Sequence, residues 1–282
     1  MSDGTSLPAD HKARVQAQFG GSAAHYVASA GHAAGDDLDQ LVAWAEGGPD
    51  RVALDVATGG GHTALALAPL YGRVVASDLT ARMLAAAEAF LRERGATNVT
   101  FEEADAESLP FPDAAFDCVS CRIAPHHFGR PADFVREAAR VLRPGGIFLL
   151  VDSTVPEDPA LVEFLNHAEK LRDPTHVRSL TRAEWRGLAE AAGLAVEAEE
   201  VFRKTHALAF WLERARTPAA TAREVTELFR TASSDARAAY AIEINPAGEV
   251  LSYTDYKLAL KARKLSSPPG PSGHPAGEGS AG

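Results

Sequence analysis

Residues 52–63, Val-Ala-Leu-Asp-Val-Ala-Thr-Gly-Gly-Gly-His-Thr, constrain the fold more than any other part of this chain. An apolar run ends in an acid, three consecutive glycines follow, and a helix-compatible stretch runs from Ala64 to Leu70. That order predicts a buried strand that breaks into a tight loop ahead of a helix. Gly59, Gly60 and Gly61 permit positive φ and lack the Cβ atoms that would hold a ligand off the backbone. Amides of the loop and of the helix start then face the crevice where nucleotide-like cofactors bind in open α/β sheets.

The flanking pattern supports such a sheet. Strands are predicted at 51–56, 73–77, 98–102, 115–121 and 146–152, with helices between them at about 62–69, 80–94 and 131–142. Alternation of this length implies a parallel sheet covered on both faces. Thr80 is a good N-cap and Gly95 a good C′ residue for the helix between them. Ahead of this block, His11 to Trp44 reads as helical, broken at Gly20-Gly21 and Gly31–Gly35 and ended by Gly47-Gly48-Pro49. After Val155, helices at about 158–171 and 181–192 precede a strand at 195–203. Residues 207–237 read as helical with a break near Thr217-Pro218. Strands at Tyr240–Ile244 and Leu251–Ala262 flank the turn signal Asn245-Pro246-Ala247-Gly248. Residues 266–282, nearly all Ser, Pro, Gly and Ala, have too little apolar area to order themselves.

Charge and hydropathy narrow the partners. Lys and Arg number 28 against 38 Asp and Glu, a net charge of −10. Such a surface repels nucleic acid and anionic membrane. Apolar runs such as Ile147 to Val151 fall far short of the roughly 18 residues that span a bilayer. No charged-then-apolar signal opens the chain, so a cytoplasmic location is expected. The two cysteines, Cys118 and Cys121, are spaced as C-x-x-C, which could mark a redox pair or half a zinc site. They fall on a predicted strand, where residues three apart point to opposite faces. Two small buried side chains are the expectation.

The glycine loop alone admits two cofactors. Gly59-Gly60-Gly61-His62-Thr63-Ala64 can be fitted to the dinucleotide fingerprint, with Asp78 as the ribose-binding acid, which would make the chain an NAD(P)-dependent oxidoreductase. Against that, Asp55 sits just ahead of the loop, where it would repel a pyrophosphate and suit a cationic sulfonium and ammonium. Asp105-Ala106 follows the third strand, where an acid can accept from an adenine amino group and the next N–H can donate to a ring nitrogen. The sheet also closes with a strand pair in place of a second nucleotide-binding half.

Four ordered segments, Asp55-Val-Ala-Thr-Gly-Gly-Gly61, Ser77-Asp78, Asp105-Ala106-Glu-Ser-Leu-Pro-Phe111 and Arg140-Val-Leu-Arg-Pro-Gly-Gly146, resemble the motifs of class I S-adenosylmethionine-dependent methyltransferases. The nearest branch is the ubiquinone/menaquinone-biosynthesis-like group acting on small molecules. The likeness covers about residues 12–155, and the segment from Asn166 to His176 is similar to uncharacterised bacterial members. It implies a Rossmann-like α/β fold: a seven-stranded, mostly parallel sheet with helices on both faces, an N-terminal helical lid and C-terminal helical insertions. The parts would be a cap at 1–46, a cofactor-binding core at 47–155, a sheet-completing part with helical cap at 156–265, and the tail. One departure is Ala57, where the family's loop has its first glycine.

The resemblance also implies roles. Gly59 and Gly61 would let the backbone approach the methionine moiety of S-adenosylmethionine, with Ala57 and Thr58 beside them. Asp78 would hold the ribose diol, while Leu79 and Met83 pack on adenine. Asp105 and the Ala106 N–H would read the adenine edge. Asp55 would support the loop, and Arg122 completes the cofactor set. The product would be S-adenosylhomocysteine. A cofactor-binding protein that no longer methylates would carry the same motifs.

Acceptor chemistry points to the end of the fourth strand, Cys121-Arg122-Ile123-Ala124-Pro125-His126-His127-Phe128. Neutral imidazole can act as a general base near pH 7, so His126 and His127 are the catalytic candidates. They could equally cap a helix start, sit as satisfied buried histidines, or join His25, His32 or His176 around a metal; no metal is assigned. Phe19, His25, Tyr26 and His32 could line an acceptor pocket under a lid, with Tyr26 a second catalytic candidate or a donor to the cofactor carboxylate. Trp185, Phe202, Phe210, Trp211 and Phe229 read as an apolar second cap, consistent with a small apolar or aromatic methyl acceptor. The partners expected are that acceptor, with no nucleic acid and no membrane, and with room for a homodimer.

Overall fold

The computed structural model describes residues 10–21, 27 and 34–265. The tail at 266–282 and three candidate pocket residues, His25, Tyr26 and His32, lie outside the described residues.

One sheet organises the fold. Its strands are β1 (Gly48–Val56), β2 (Tyr71–Asp78), β3 (Val99–Glu103), β4 (Phe116–Arg122), β5 (Leu142–Val155), β6 (Leu180–Thr181), β7 (Leu194–Ala207), β8 (Glu243–Ile244) and β9 (Val250–Lys264). They run in the order β3-β2-β1-β4-β5-β9-β7. Neighbours from β3 to β5 pair in parallel, and β9 runs antiparallel to both β5 and β7. Seven strands form this path, as expected. The two short additions, β6 on β5 and β8 on β9, are two-residue pairings that no periodicity could announce. Tyr240 was expected to open a strand. It ends a helix instead, where its hydroxyl donates to the Leu161 carbonyl at 2.7 Å.

Helices cover both faces. They are α1 (His11–Gly20), α2 (Asp36–Trp44), α3 (His62–Leu67), α4 (Ala81–Glu93), α5 (Pro131–Val141), α6 (Pro159–Arg172), α7 (Arg182–Ala191), α8 (Leu208–Arg214), α9 (Ala219–Arg230) and α10 (Ser234–Ala239), with a 3-10 turn at Pro125–His127. Met83, Leu84, Ala87, Phe90 and Leu91 recur at helical spacing, so α4 buries one face. Gly95 follows it with φ +76°, the left-handed conformation that ends helices.

Side-chain alternation along the strands builds two apolar layers. Leu54, Val119, Cys121, Phe148 and Leu150 pack toward α5 and α7. Ala53, Val74, Cys118, Leu149 and Val151 pack toward α2 and α4. Both cysteines are therefore free, buried and in opposite layers. Beyond the sheet, α6, α8, α9 and α10 enclose a third cluster around Trp211, Phe229, Tyr240 and Tyr253. The chain leaves β1 in one direction to build β2 and β3, then returns to place β4 on the other side. Ligands in such sheets bind at the carboxyl ends of the strands flanking that reversal.

Candidate active site

The loop after β1 is held from below. Asp55 is 1 % exposed; its carboxylate accepts from Thr58 Oγ1 at 2.6 Å and Ser120 Oγ at 2.7 Å. Ser120 reaches it because β4 pairs with β1 at that register. Burial raises the Asp55 carboxyl to about 6, against the opposing pull of Thr58, Ser120 and Arg122. Asp55 therefore braces the loop from beneath and does not line the cavity.

The glycines divide the work. Gly59 has φ +55°, and a Cβ there would meet nothing closer than Met83 Cε at 3.7 Å. Its N–H donates to Asp78 Oδ2 at 3.0 Å. Gly61 has φ +84°, and a Cβ there would fall 2.4 Å from Leu91 Cδ1 and 3.2 Å from Ala87 Cβ. Gly61 thus lets α4 pack against the loop; it is not a wall of the cavity. Ala57 adopts φ +52°, a left-handed conformation otherwise typical of glycine.

Around this loop lies a cavity of about 1090 Å3. Ligand pockets typically span 300–1,000 Å3, so there is room for a cofactor and an acceptor together. Ala57, Thr58, Gly59, Asp78, Leu79, Met83, Asp105, Ala106, Arg122, His126 and His127 all line it. Asp78 Oδ1 accepts from the Thr80 N–H at 2.9 Å. The Thr80 hydroxyl, expected to cap α4, makes no capping bond. Burial raises the Asp78 pKa, opposed by the backbone donors of Thr80 and Gly59.

Helix α1 closes the cavity from the cofactor side to the acceptor side. Lys12 pairs with Asp105 at 2.5 Å and Glu107 at 2.9 Å, and Gln16 donates to the Leu79 carbonyl at 2.8 Å. Gln18 donates to Asp173 at 2.7 Å, and His11 Nε2 to the His127 carbonyl at 2.9 Å. Phe19 meets the His127 ring edge-on at 4.9 Å.

The two adjacent histidines differ sharply. His126 Nδ1 lies 2.6 Å from Asp152 Oδ1, and Asp152 has no exposed surface. Burial opposes a charge on His126, but Asp152 outweighs it and raises the imidazole pKa. His127 Nδ1 donates to the Thr175 carbonyl at 3.0 Å; burial and the adjacent His126 push it down to about 3. His176 donates from Nε2 to Asn166 Oδ1 at 2.9 Å, and burial pushes it down to about 2. Arg122 Nε donates to Asp37 Oδ2 of α2 at 2.7 Å, both side chains being buried.

The expected aromatic cap is only partly there. Phe210 and Trp211 line the cavity, whereas Trp185 and Phe229 are core residues of two separate clusters and Phe202 packs against the sheet. Helical and strand spacing gave no means of separating these fates.

Comparison with known proteins settles the family. A family profile described as a methyltransferase domain matches residues 54–150. The uncharacterized methyltransferase YcgJ of Bacillus subtilis is 40 % identical over 221 residues, covering 78 % of this chain and 87 % of that protein. This chain belongs to the class I S-adenosylmethionine-dependent methyltransferases. Solved structures agree. A candidate methyltransferase of Bacillus halodurans C-125 superposes with a TM-score of 0.80 at 39 % identity, covering 82 % of this chain and all of that one. The ubiquinone/menaquinone biosynthesis C-methyltransferase of Hahella chejuensis is 38 % identical over 110 residues, 38 % of this chain and 44 % of that protein. Family membership removes the NAD(P)-dependent oxidoreductase reading of the glycine loop.

Several residues of this methyltransferase site escaped the sequence reading. Asp152 carried a signal, an acid ending the apolar run Ile147–Val151. Lys12, Asp37 and Asp173 carried none, because their partners lie far away in the chain. Among the described residues, no helix is long and apolar enough to cross a membrane.

Proposed function

We propose that this methyltransferase holds S-adenosylmethionine over the β1 loop and methylates a small, largely apolar or aromatic metabolite, with His126 as the proton acceptor. The observation that carries this reading is His126, paired with the buried Asp152 behind it, on the wall of the cavity that also contains the glycine loop. The residues present suit the cofactor. Gly59 lines the cavity without a side chain, Asp78 and Asp105 suit a ribose diol and an adenine amino group, and Met83 offers an apolar face. Ala106 would contribute its N–H to the adenine edge, and Arg122 a positive charge toward the methionine carboxylate. When bound, the sulfonium supplies an activated methyl group for in-line displacement.

The chain's own contribution is orientation, exclusion of water and handling of one proton. Phe19, Ile123, Phe128, Phe210 and Trp211 give the acceptor side apolar walls. Asp152 fixes the His126 ring with its Nδ1 proton toward the carboxylate, so Nε2 carries the lone pair that can accept a proton from the acceptor. His127, held neutral by burial, is a wall and an anchor for α1. Tyr26, outside the described residues, remains a proposed pocket residue on the sequence argument alone.

Calorimetric titration with S-adenosylhomocysteine tests the cofactor assignment, and release of that product on incubation with a metabolite extract tests transfer. Binding without release from any extract would favour a cofactor-binding protein that does not methylate.

A further inference from the structure

The cavity does not end at His126. It continues over the carboxyl end of β5 to β9 and β7, where Lys257 and Lys204 line it. Lys257 pairs across β9 with Ser153 of β5 and Phe202 of β7. It is 9 % exposed. Among the described residues, no carboxylate or carbonyl oxygen bonds its ammonium. A lysine this buried normally has a partner.

Neither nearby acid bonds it. Asp37 is taken by Arg122 at 2.7 Å; Asp255 Oδ2 bonds His206 Nε2 at 2.8 Å, while Asp255 Oδ1 is buried with no hydrogen-bond partner among the described residues. The strongest charge effects on Lys257 come from Asp37, Lys204, Asp255 and Arg122. Burial pushes the Lys257 pKa down, Asp37 and Asp255 oppose, and Lys204 and Arg122 add to the fall. The same cavity has apolar walls, Phe210 and Trp211 among them.

We propose that Lys257, with Lys204 beside it, holds an anionic group of the methyl acceptor, a carboxylate or a phosphate, while the apolar walls hold its body. This rests on the methyl-transfer reading and narrows its substrate class to amphipathic acids. An anion gives the buried ammonium the hydrogen-bond partner that the protein withholds. The unpartnered ammonium would disfavour neutral analogues of the same shape.

The test uses the full chain saturated with S-adenosylhomocysteine and titrated by calorimetry with cinnamate and cinnamamide, which differ by one charge. Cinnamate is expected to bind at least about tenfold more tightly, the scale of a charge-assisted hydrogen bond. Lys257→Met should abolish that preference, Lys257→Arg should retain it, and S-adenosylhomocysteine affinity should be the same in all three proteins. Equal binding of acid and amide overturns the proposal, as does a preference that survives in Lys257→Met. So does failure of cinnamate, octanoate and inorganic phosphate all to bind at millimolar concentration. Weakened S-adenosylhomocysteine binding in Lys257→Met would assign the ammonium to the cofactor's own carboxylate and likewise overturn it. Failure of the unaltered protein to bind S-adenosylhomocysteine would instead remove the methyl-transfer reading beneath it.

Discussion

His126 Nδ1 stands 2.6 Å from a carboxylate, Asp152, that has no surface exposed to solvent. The contact joins the turn after β4 to the end of β5, two segments that parallel pairing brings side by side. A buried acid there has one evident use, to fix the tautomer and raise the basicity of the imidazole.

The pH dependence of turnover should report that pairing. A base must be neutral to act, and the His126 pKa lies above 6.5, so kcat should rise with pH through a value higher than that of ordinary histidine. In Asp152→Asn, burial acts without the opposing carboxylate, and the rising limb should move to lower pH while kcat at its plateau falls. S-adenosylhomocysteine affinity should not change. An unmoved limb would return Asp152 to a purely structural role.

Asp78, proposed to hold the ribose, should matter for binding. Asp78→Ala is expected to weaken S-adenosylhomocysteine binding by about 1.5–3 kcal/mol, the scale of hydrogen bonds to a charged group. The same carboxylate also bridges the Gly59 and Thr80 amides. Asp78→Asn keeps one acceptor oxygen for those two amides, so it should recover part of the stability and less of the affinity. Calorimetry and urea denaturation together separate the two effects.

Two neighbouring glycines should fail in different ways. Gly61→Ala drives a methyl group into Leu91 and Ala87 and should destabilise the fold by about 1–3 kcal/mol through overpacking, on top of its left-handed backbone strain. Gly59→Ala meets only Met83 at an ordinary contact distance, so about 1–2 kcal/mol of left-handed strain is its main stability cost. Its loss of cofactor affinity should be the larger of the two, because its methyl group would enter the cavity. Equal affinity losses would show that the loop acts as one rigid unit.

What the sequence revealed here follows a physical division. Strand and helix existence was legible because β1–β5 are short apolar runs separated by amphipathic segments, and the loop was legible because three glycines have few structural uses. The acids Asp78 and Asp105 stood out as candidates because one ends β2 and the other lies two residues past the end of β3. Contacts across the chain were not: Lys12 reaches Asp105 and Asp37 reaches Arg122 over long sequence separations. The pair His126-His127 shows the limit well. The dipeptide marks both as candidates, but only packing places one against Asp152 and strips the other of charge.

Ala57 gives a prediction with the opposite sign. It holds φ +52°, a left-handed conformation that favours glycine. Left-handed backbone costs an alanine about 1–2 kcal/mol, while glycine adds about 0.4–1 kcal/mol of chain entropy to the unfolded state. Ala57→Gly should therefore stabilise the protein by about 0.5–1 kcal/mol. The urea midpoint should rise at constant m-value, and a fall would mean that the alanine methyl makes compensating contacts.

Acid sensitivity should trace to the buried neutral histidines. His176 is pushed down to about 2 by burial, whereas the unfolded chain takes up the proton near 6.5. A depressed folded pKa contributes stability that is complete above 6.5 and is lost as pH falls below it. The loss should approach about 1.4 kcal/mol per pH unit for this one group. His176→Gln keeps an amide N–H for Asn166 Oδ1 but cannot titrate. Whatever its stability at pH 8, its decline between pH 6 and 5 should be shallower by about that slope. Parallel curves over that interval would place the titrating group elsewhere.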